Sequence, residues 1–394
     1  MASTRESPDP QHPSDPGQAE ASSIPRITTR RILSLALPAL GALIAEPLFT
    51  VIDSTMVGHL GTPELAGLGI ASTVLNTAVG LFVFLAYSTT SLAGRHLGAG
   101  RRDRAIRSGV EAMWLAGALG VLAALLLAVC ASPLLSWLGA DAATMPHALA
   151  YLRSSAPGLV GMFVVLAATG TLRGLQDTRT PLVAASVGAA FNAAANWTLM
   201  YPLGLGVAGS GLGTAITQSL MALFLAWVIV RGARREGVEL SPSVAGIFSA
   251  AAEGAPLLVR TLALRVALLA TLSAVTAIST QALAAHQIVW TLWTFAAYVL
   301  DALAIAAQAL AGFTQGSGER GAMGPLVRLL SRWGVGFGIV VGLVLAMASP
   351  WITRIFTTDT TVVDYATVAL IVGAFFQPVA GYVFLLDGIL IGAG

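Results

Sequence analysis

Ser91–Arg102 reads SLAGRHLGAGRR, and Ala309–Arg320, 218 residues later, reads ALAGFTQGSGER. The two stretches share a Leu-Ala-Gly core and a pair of later glycines, and each closes a long apolar run. The same spacing joins Pro38 to Pro256, and the ELAGLGI that begins at Glu64 to the ALAAHQI that begins at Ala282. One offset held from the first apolar run to the third connection implies two halves built alike. They run in the same sense and are related by an axis along the membrane normal, as in many secondary transporters. Counting forward, Gln176 falls opposite Gly394, the last residue. The second half is therefore expected to lack its last two helices, as in a shortened form of the protein.

Composition places these halves in a membrane. The chain is 56% hydrophobic and 10% charged, against about 25% charged in soluble domains. Apolar runs at 32–58, 64–94, 109–137, 149–174, 181–202, 207–231, 251–277, 282–312, 328–351 and 366–393 are each long enough to cross a hydrocarbon core of about 30 Å. The fold class is thus an all-α polytopic membrane protein of two helical bundles. The amino-terminal lobe is expected over 29–235 and the incomplete second lobe over 236–394. Residues 1–28, rich in Pro, Ser and Asp, read as a disordered tail that cannot bury a core. Arginines collect in alternate connections: Arg95, Arg101, Arg102, Arg104 and Arg107; Arg173 and Arg179; Arg231, Arg234 and Arg235; Arg320, Arg328 and Arg332. With Arg26, Arg30 and Arg31 before the first span, the positive-inside rule puts the amino terminus in the cytoplasm.

Several function classes fall away. A formal charge of +2 gives no reason to expect nucleic acid. The single Cys130 excludes an intrachain disulfide. His12, His59, His96, His147 and His286 are scattered, so no metal site, cofactor site or catalytic cluster suggests a membrane enzyme.

LFTVIDSTMVGHLGTPELAGLGIA (from Leu48), SLAGRHLGAGRRDRA (from Ser91), GLGVAGSGLGTAITQ (from Gly204), RTLALRVALL (from Arg260), ALAAHQI (from Ala282), LDALAIAAQALAG (from Leu300) and LDGILIGAG (from Leu386) together resemble the multidrug and toxic compound extrusion (MATE) family, in its bacterial DinF-like branch. The resemblance runs from about Arg30 to Gly394. It implies a twelve-helix fold of two six-helix lobes forming a V, monomeric in the bacterial inner membrane. It also implies export of organic, typically cationic and amphipathic small molecules in exchange for protons or sodium ions, with no cofactor. A lipid-linked-precursor flippase of the same overall shape is the alternative, and its anionic cargo would need a basic cavity.

Polar residues at membrane depth are the candidate site, because an intramembrane charge costs about 2.5 kcal/mol or more and is kept mostly where it faces a cavity or partner. Asp53 occupies the position that the family resemblance gives to the cation-coupling aspartate. Glu46 lies two helical turns earlier on the same face, with Phe49 and Thr50 between. It either adds cation selectivity or bridges to a neighbouring helix. Counting by the repeat, Asp53 falls opposite Thr271 and Glu46 opposite Leu264, so the acidic stripe belongs to one half only. In the fifth span Asn192 and Asn196 are four apart on one face. The family often has an acid at the second position, so Asn196 argues against a strong sodium site. Gln218 in the sixth span is a softer candidate for the same cavity. In the second half, Arg260, Arg265, Asp301, Gln308 and Asp387 form an expected polar network. Arg265 and Asp301 should compensate each other there, and Asp387 should pair with Arg260 or Arg265; Asp301 is alternatively a second proton site.

Overall fold

A computed structural model describes residues 29–319 and 321–394, with Glu46 described by its backbone alone; the tail read from residues 1–28 lies outside the described residues, as does Arg320. The helices, in chain order, are α1 (Thr29–Gly58), α2 (Thr62–Leu81), α3 (Phe84–Gly98), α4 (Arg102–Trp137), α5 (Met145–Ser155), α6 (Gly158–Gly174), α7 (Arg179–Met200), α8 (Gly206–Arg235), α9 (Val244–Thr276), α10 (Thr280–Gly316), α11 (Met323–Phe356) and α12 (Thr360–Ala393). α2 and α3 make one span from Thr62 to Gly98, and α5 and α6 form a pair bent by 52°. Taking that pair as one, the described residues carry ten spans, one for each apolar run.

Helices dominate because hydrocarbon offers no partner for a backbone N–H or C=O, so each segment must satisfy its own. The two interruptions have local causes. Between α2 and α3 the N–H groups of Phe82, Leu85 and Ala86 donate three residues back, to Val79, Phe82 and Val83, which is the tighter 3₁₀ pattern. Between α5 and α6 stands Pro157, which has no N–H and whose ring crowds the carbonyl four residues earlier. Neither break recurs in the second half, where α10 and α12 run through. The repeat is otherwise visible in the helix ends. Thr62 and Gly98 bound the second span, and Thr280 and Gly316, each 218 positions later, bound α10.

Alternating direction along the ten spans sends the starts of α1, α4, α7, α9 and α11 and the ends of α3, α6, α8, α10 and α12 to one side, the arginine-rich one. A core in the first half gathers Leu68, Leu85, Leu135, Leu152, Leu159 and Phe163. A second core joins Ile32 and Leu35 of α1 to Leu303 and Leu310 of α10, Leu326 and Leu330 of α11, and Leu385 and Ile389 of α12. α1 is therefore shared: its start packs with second-half helices, and the helix also packs against α7.

The halves also meet along a glycine seam between α3 and α10. Lipid tails are as apolar as leucine, so helices in a membrane associate by close packing of small residues. A Cβ added to Gly94 would lie 3.5 Å from the Cα of Gly312, and one added to Gly312 would lie 3.5 Å from the Cα of Gly94. One turn on, a Cβ at Gly98 would strike the Phe313 carbonyl and one at Gly316 the Arg95 carbonyl. Each of these pairings maps onto the other by the 218-residue offset, so the repeat axis passes through the seam. Polar contacts reinforce it. Gln308 Nε2 donates to the Tyr87 carbonyl at 2.7 Å, Ser91 Oγ to the Gly392 carbonyl at 3.1 Å, and Arg95 pairs with Glu253 at 2.8 Å.

Candidate functional site

Among α1, α2, α3, α5, α6, α7 and α8 lies a cavity of about 280 Å³, to which α10 contributes Asp301. Most of its wall is apolar, including Phe49, Leu75, Val79, Met162 and Met221, with a few polar groups converging on it.

Asp53, from the last turns of α1, is 4% exposed and forms part of that wall. Its Oδ1 accepts from Asn196 Nδ2 at 2.9 Å and from Ser210 Oγ at 2.5 Å. Asn196 also donates to Asn192 Oδ1 at 3.0 Å, and Asn192 returns a bond to Asn196 Oδ1 at 3.3 Å. The four-residue spacing on α7 makes this mutual clamp possible. The close approach of α8 depends on Gly213, where any Cβ would collide with Asn196 Oδ1. Every hydrogen bond the structure gives to Asp53 thus comes from a neutral donor. Among the described residues no cation lies within ion-pair distance of it.

A second charged group lines the cavity. Arg173, in the last turn of α6, lines the wall together with Asp301 and Tyr87. Beside them Arg260 Nε donates to Asp387 Oδ1 at 3.0 Å, and its Nη2 makes a second bond to Oδ2. This is the two-pronged geometry that suits a guanidinium and a carboxylate.

Phe49, Thr50, Asp53, Gln218 and Asp301 therefore share one cavity. Asn196 holds Asp53, Asn192 holds Asn196, and neither asparagine lines the space. Arg260 and Asp387 pair as one of the expected alternatives. Gln308 is buried in the seam, away from the cavity. The side chain of Glu46 is outside the described residues.

Two expectations are corrected. Arg265 does not compensate Asp301: it is exposed on α9, with its guanidinium beside Gly80, whereas Asp301 lies on the cavity wall, which Arg173 also lines. Hydropathy gives the depth of a residue in the bilayer but not its direction around the helix. Arg173 is also not a connection residue, because α6 continues through it and turns it onto the cavity wall. The repeat carried a signal for this, since Arg173 falls opposite Ile391, an apolar position. Tyr87, Tyr151, Ser72 and Thr214 also line the wall. Nothing in their spacing marks them out from ordinary helix-packing residues.

The MatE family profile matches residues 38–198 and 256–394, one stretch in each half, beginning at the two repeat-related prolines. DETOXIFICATION 44, a chloroplastic protein of Arabidopsis thaliana, is 31% identical over 98% of this chain and 74% of its own length. DNA damage-inducible protein F of Escherichia coli (strain K12) is 28% identical over 91% of this chain and 79% of its own. The crystal structure of the Vibrio cholerae MATE transporter VcmN in its bent form superposes with a TM-score of 0.85 at 20% identity. That match covers 92% of this chain and 83% of that one.

Proposed function

The chain belongs to the MatE family of membrane transporters, and we propose that it exports organic, amphipathic cations in exchange for protons. The observation that carries this is the setting of Asp53, a carboxylate on an otherwise apolar cavity wall whose partners are all neutral donors. Such a group can be neutralised by a proton or by a bound cation, and each excludes the other. Mutual exclusion at one carboxylate is a negative coupling between the two ligands, and that coupling is reciprocal. Exchange follows when the cavity faces the two sides of the membrane in turn, as the lobes at 29–235 and 236–394 rock against each other. The aromatic and Met side chains of the wall suit flat apolar bodies of varied shape. The name of the Arabidopsis relative, which speaks of detoxification, agrees.

Asn196 favours protons over sodium. It offers Asp53 an N–H where an acid would offer a second carboxylate. The flippase reading needs a cavity of net positive charge. Arg260 is tied to Asp387, Arg265 lies outside the wall, and Arg173 shares the wall with the two carboxylates Asp53 and Asp301, so the three supply no net positive charge. In the same proposal the protein works as a monomer in the bacterial inner membrane, with its amino terminus and its arginine-rich side in the cytoplasm.

Reconstitution into liposomes tests the proposal. An imposed pH gradient should drive ethidium across the membrane, and a sodium gradient at equal pH should not. Movement driven by sodium alone would overturn proton coupling, and no movement under either gradient would overturn cation antiport.

A further inference from the structure

We propose that the connection 236–243 and the start of α9, through Leu258, are clasped to the first lobe and ride with it. The moving boundary between the lobes then lies inside α9, ahead of Arg260, and not in the connection. This deepens the rocking-lobe reading above and rests on it.

The connection is tied down along its length, each time by a side chain of α4. Arg102 Nε pairs with Glu236 Oε1 at 3.3 Å, Arg107 Nη1 donates to the Glu239 carbonyl at 2.6 Å, and Trp114 Nε1 donates to the Leu240 carbonyl at 3.0 Å. Val238 and Leu240 pack on an apolar cluster of Ile106 and Val110 from α4 with Leu225 and Ile229 from α8. A tether stretched between two moving bodies would have to break these anchors in every cycle.

The anchoring continues turn by turn into α9. Glu111 of α4, itself held by Arg107 at 2.9 Å, lies against Gly246 in the first turn, where a carboxylate suits the positive end of a helix. Ile247, Ala250 and Ala251 then pack into the first-half core. Glu253 pairs with Arg95 of α3 at 2.8 Å, the ring of Phe84 of α3 rests on Gly254, and Leu257 and Leu258 end the contact in the same core. Among the described residues, the second core of α1, α10, α11 and α12 contains no residue of α9. The first side-chain bond from α9 to a second-half helix comes at Arg260, to Asp387 of α12. The helix changes partners between Leu258 and Arg260.

The repeat gives an independent reason. Ile32, Leu35 and Ala36 of α1 pack into the second core, and they fall opposite Ala250, Glu253 and Gly254 of α9. Each half lends the start of its first helix to the other, at matching positions.

The test joins α4 to the first turn of α9. E111C/G246C, with Cys130 replaced by Ala, places two thiols where the Glu111 side chain now meets Gly246, within reach of a disulfide. In liposomes under a pH gradient, the oxidised protein should carry ethidium at the rate of its reduced form. Loss of transport on oxidation, restored by reduction, would mean that the two elements must part, and overturns the proposal. Spin labels read the motion without transport and leave Glu111 and Gly246 in place. The pair R104C/F248C, on exposed positions at the starts of α4 and α9, should keep one distance at acid and alkaline pH, with and without tetraphenylphosphonium. The pair F248C/R328C, from α9 to exposed Arg328 at the start of α11, should change its distance under the same conditions. A change in the first pair, or constancy of both, overturns the proposal even where the reduced thiol variant fails to transport. Label distances that behave as expected in a protein that carries no ethidium overturn cation efflux and support the clasp.

Discussion

Replacing Gly213 with alanine should damage the Asp53 site without substituting any residue of it. An added Cβ falls where Asn196 Oδ1 now sits, nearer than real Cβ atoms approach. Either α8 moves away or the Asn196 amide does. Overpacking of this kind costs about 1–3 kcal/mol. If Asn196 withdraws, Asp53 also loses a hydrogen bond to a charged group, about 1.5–3 kcal/mol. Alanine returns about 0.5–1 kcal/mol as the better helix former. With Asn196 withdrawn, the net destabilisation is then roughly 1.5–5.5 kcal/mol. Gly117 on α4 supplies the control, since a Cβ there meets nothing within 4 Å. G117A should gain the helix-propensity increment alone. Thermal unfolding in detergent should therefore rank G117A at or above wild type and G213A below it. Tetraphenylphosphonium affinity should fall about tenfold or more in G213A only, as loss of a charged hydrogen bond implies. If G213A unfolds with wild type and binds like wild type, the clamp on Asp53 is not what shapes the site.

Two further predictions concern other parts of the molecule. Gly312→Val should force α3 and α10 apart at the seam, and a thiol at the buried Ser88 (S88C, with Cys130 replaced by Ala) should then react with a maleimide that leaves S88C alone untouched; equal labelling with and without the valine would refute it. In the connection before α5, the Thr144 backbone N–H, with the Thr144 hydroxyl and the Ala143 N–H, holds the Asp141 carboxyl below its ordinary range. A group whose folded value is depressed contributes stability above its unfolded value and loses it as pH falls through the folded one. D141N should flatten the acid limb of the unfolding temperature against pH, and an unchanged acid limb would rule this contribution out.

The ten spans were legible because a bilayer imposes length and apolarity on every crossing, and the 218-residue offset foretold that Thr62–Gly98 and Thr280–Gly316 would end alike. What stayed hidden was azimuth. Arg265 and Asp301 read as partners because both sit at membrane depth, yet α9 turns Arg265 outward while α10 turns Asp301 onto the cavity. Arg173 was hidden for a related reason: an arginine at the end of an expected span reads as part of a connection until α6 is seen to run through it. Asp53 was legible as an acid with no counterpart in the second half. Its donor Ser210 was not, because a serine between two glycines looks like close helix packing.

The central claim is that one carboxylate, Asp53, takes proton and substrate by turns. Its most direct test is proton movement in liposomes holding a trapped pH dye when tetraphenylphosphonium is added outside. Wild type should release protons in step with substrate entry. D53N should show no substrate-linked proton movement, because the amide cannot take up the exchanged proton. Proton movement in D53N equal to wild type, with the same pH dependence, would contradict the account.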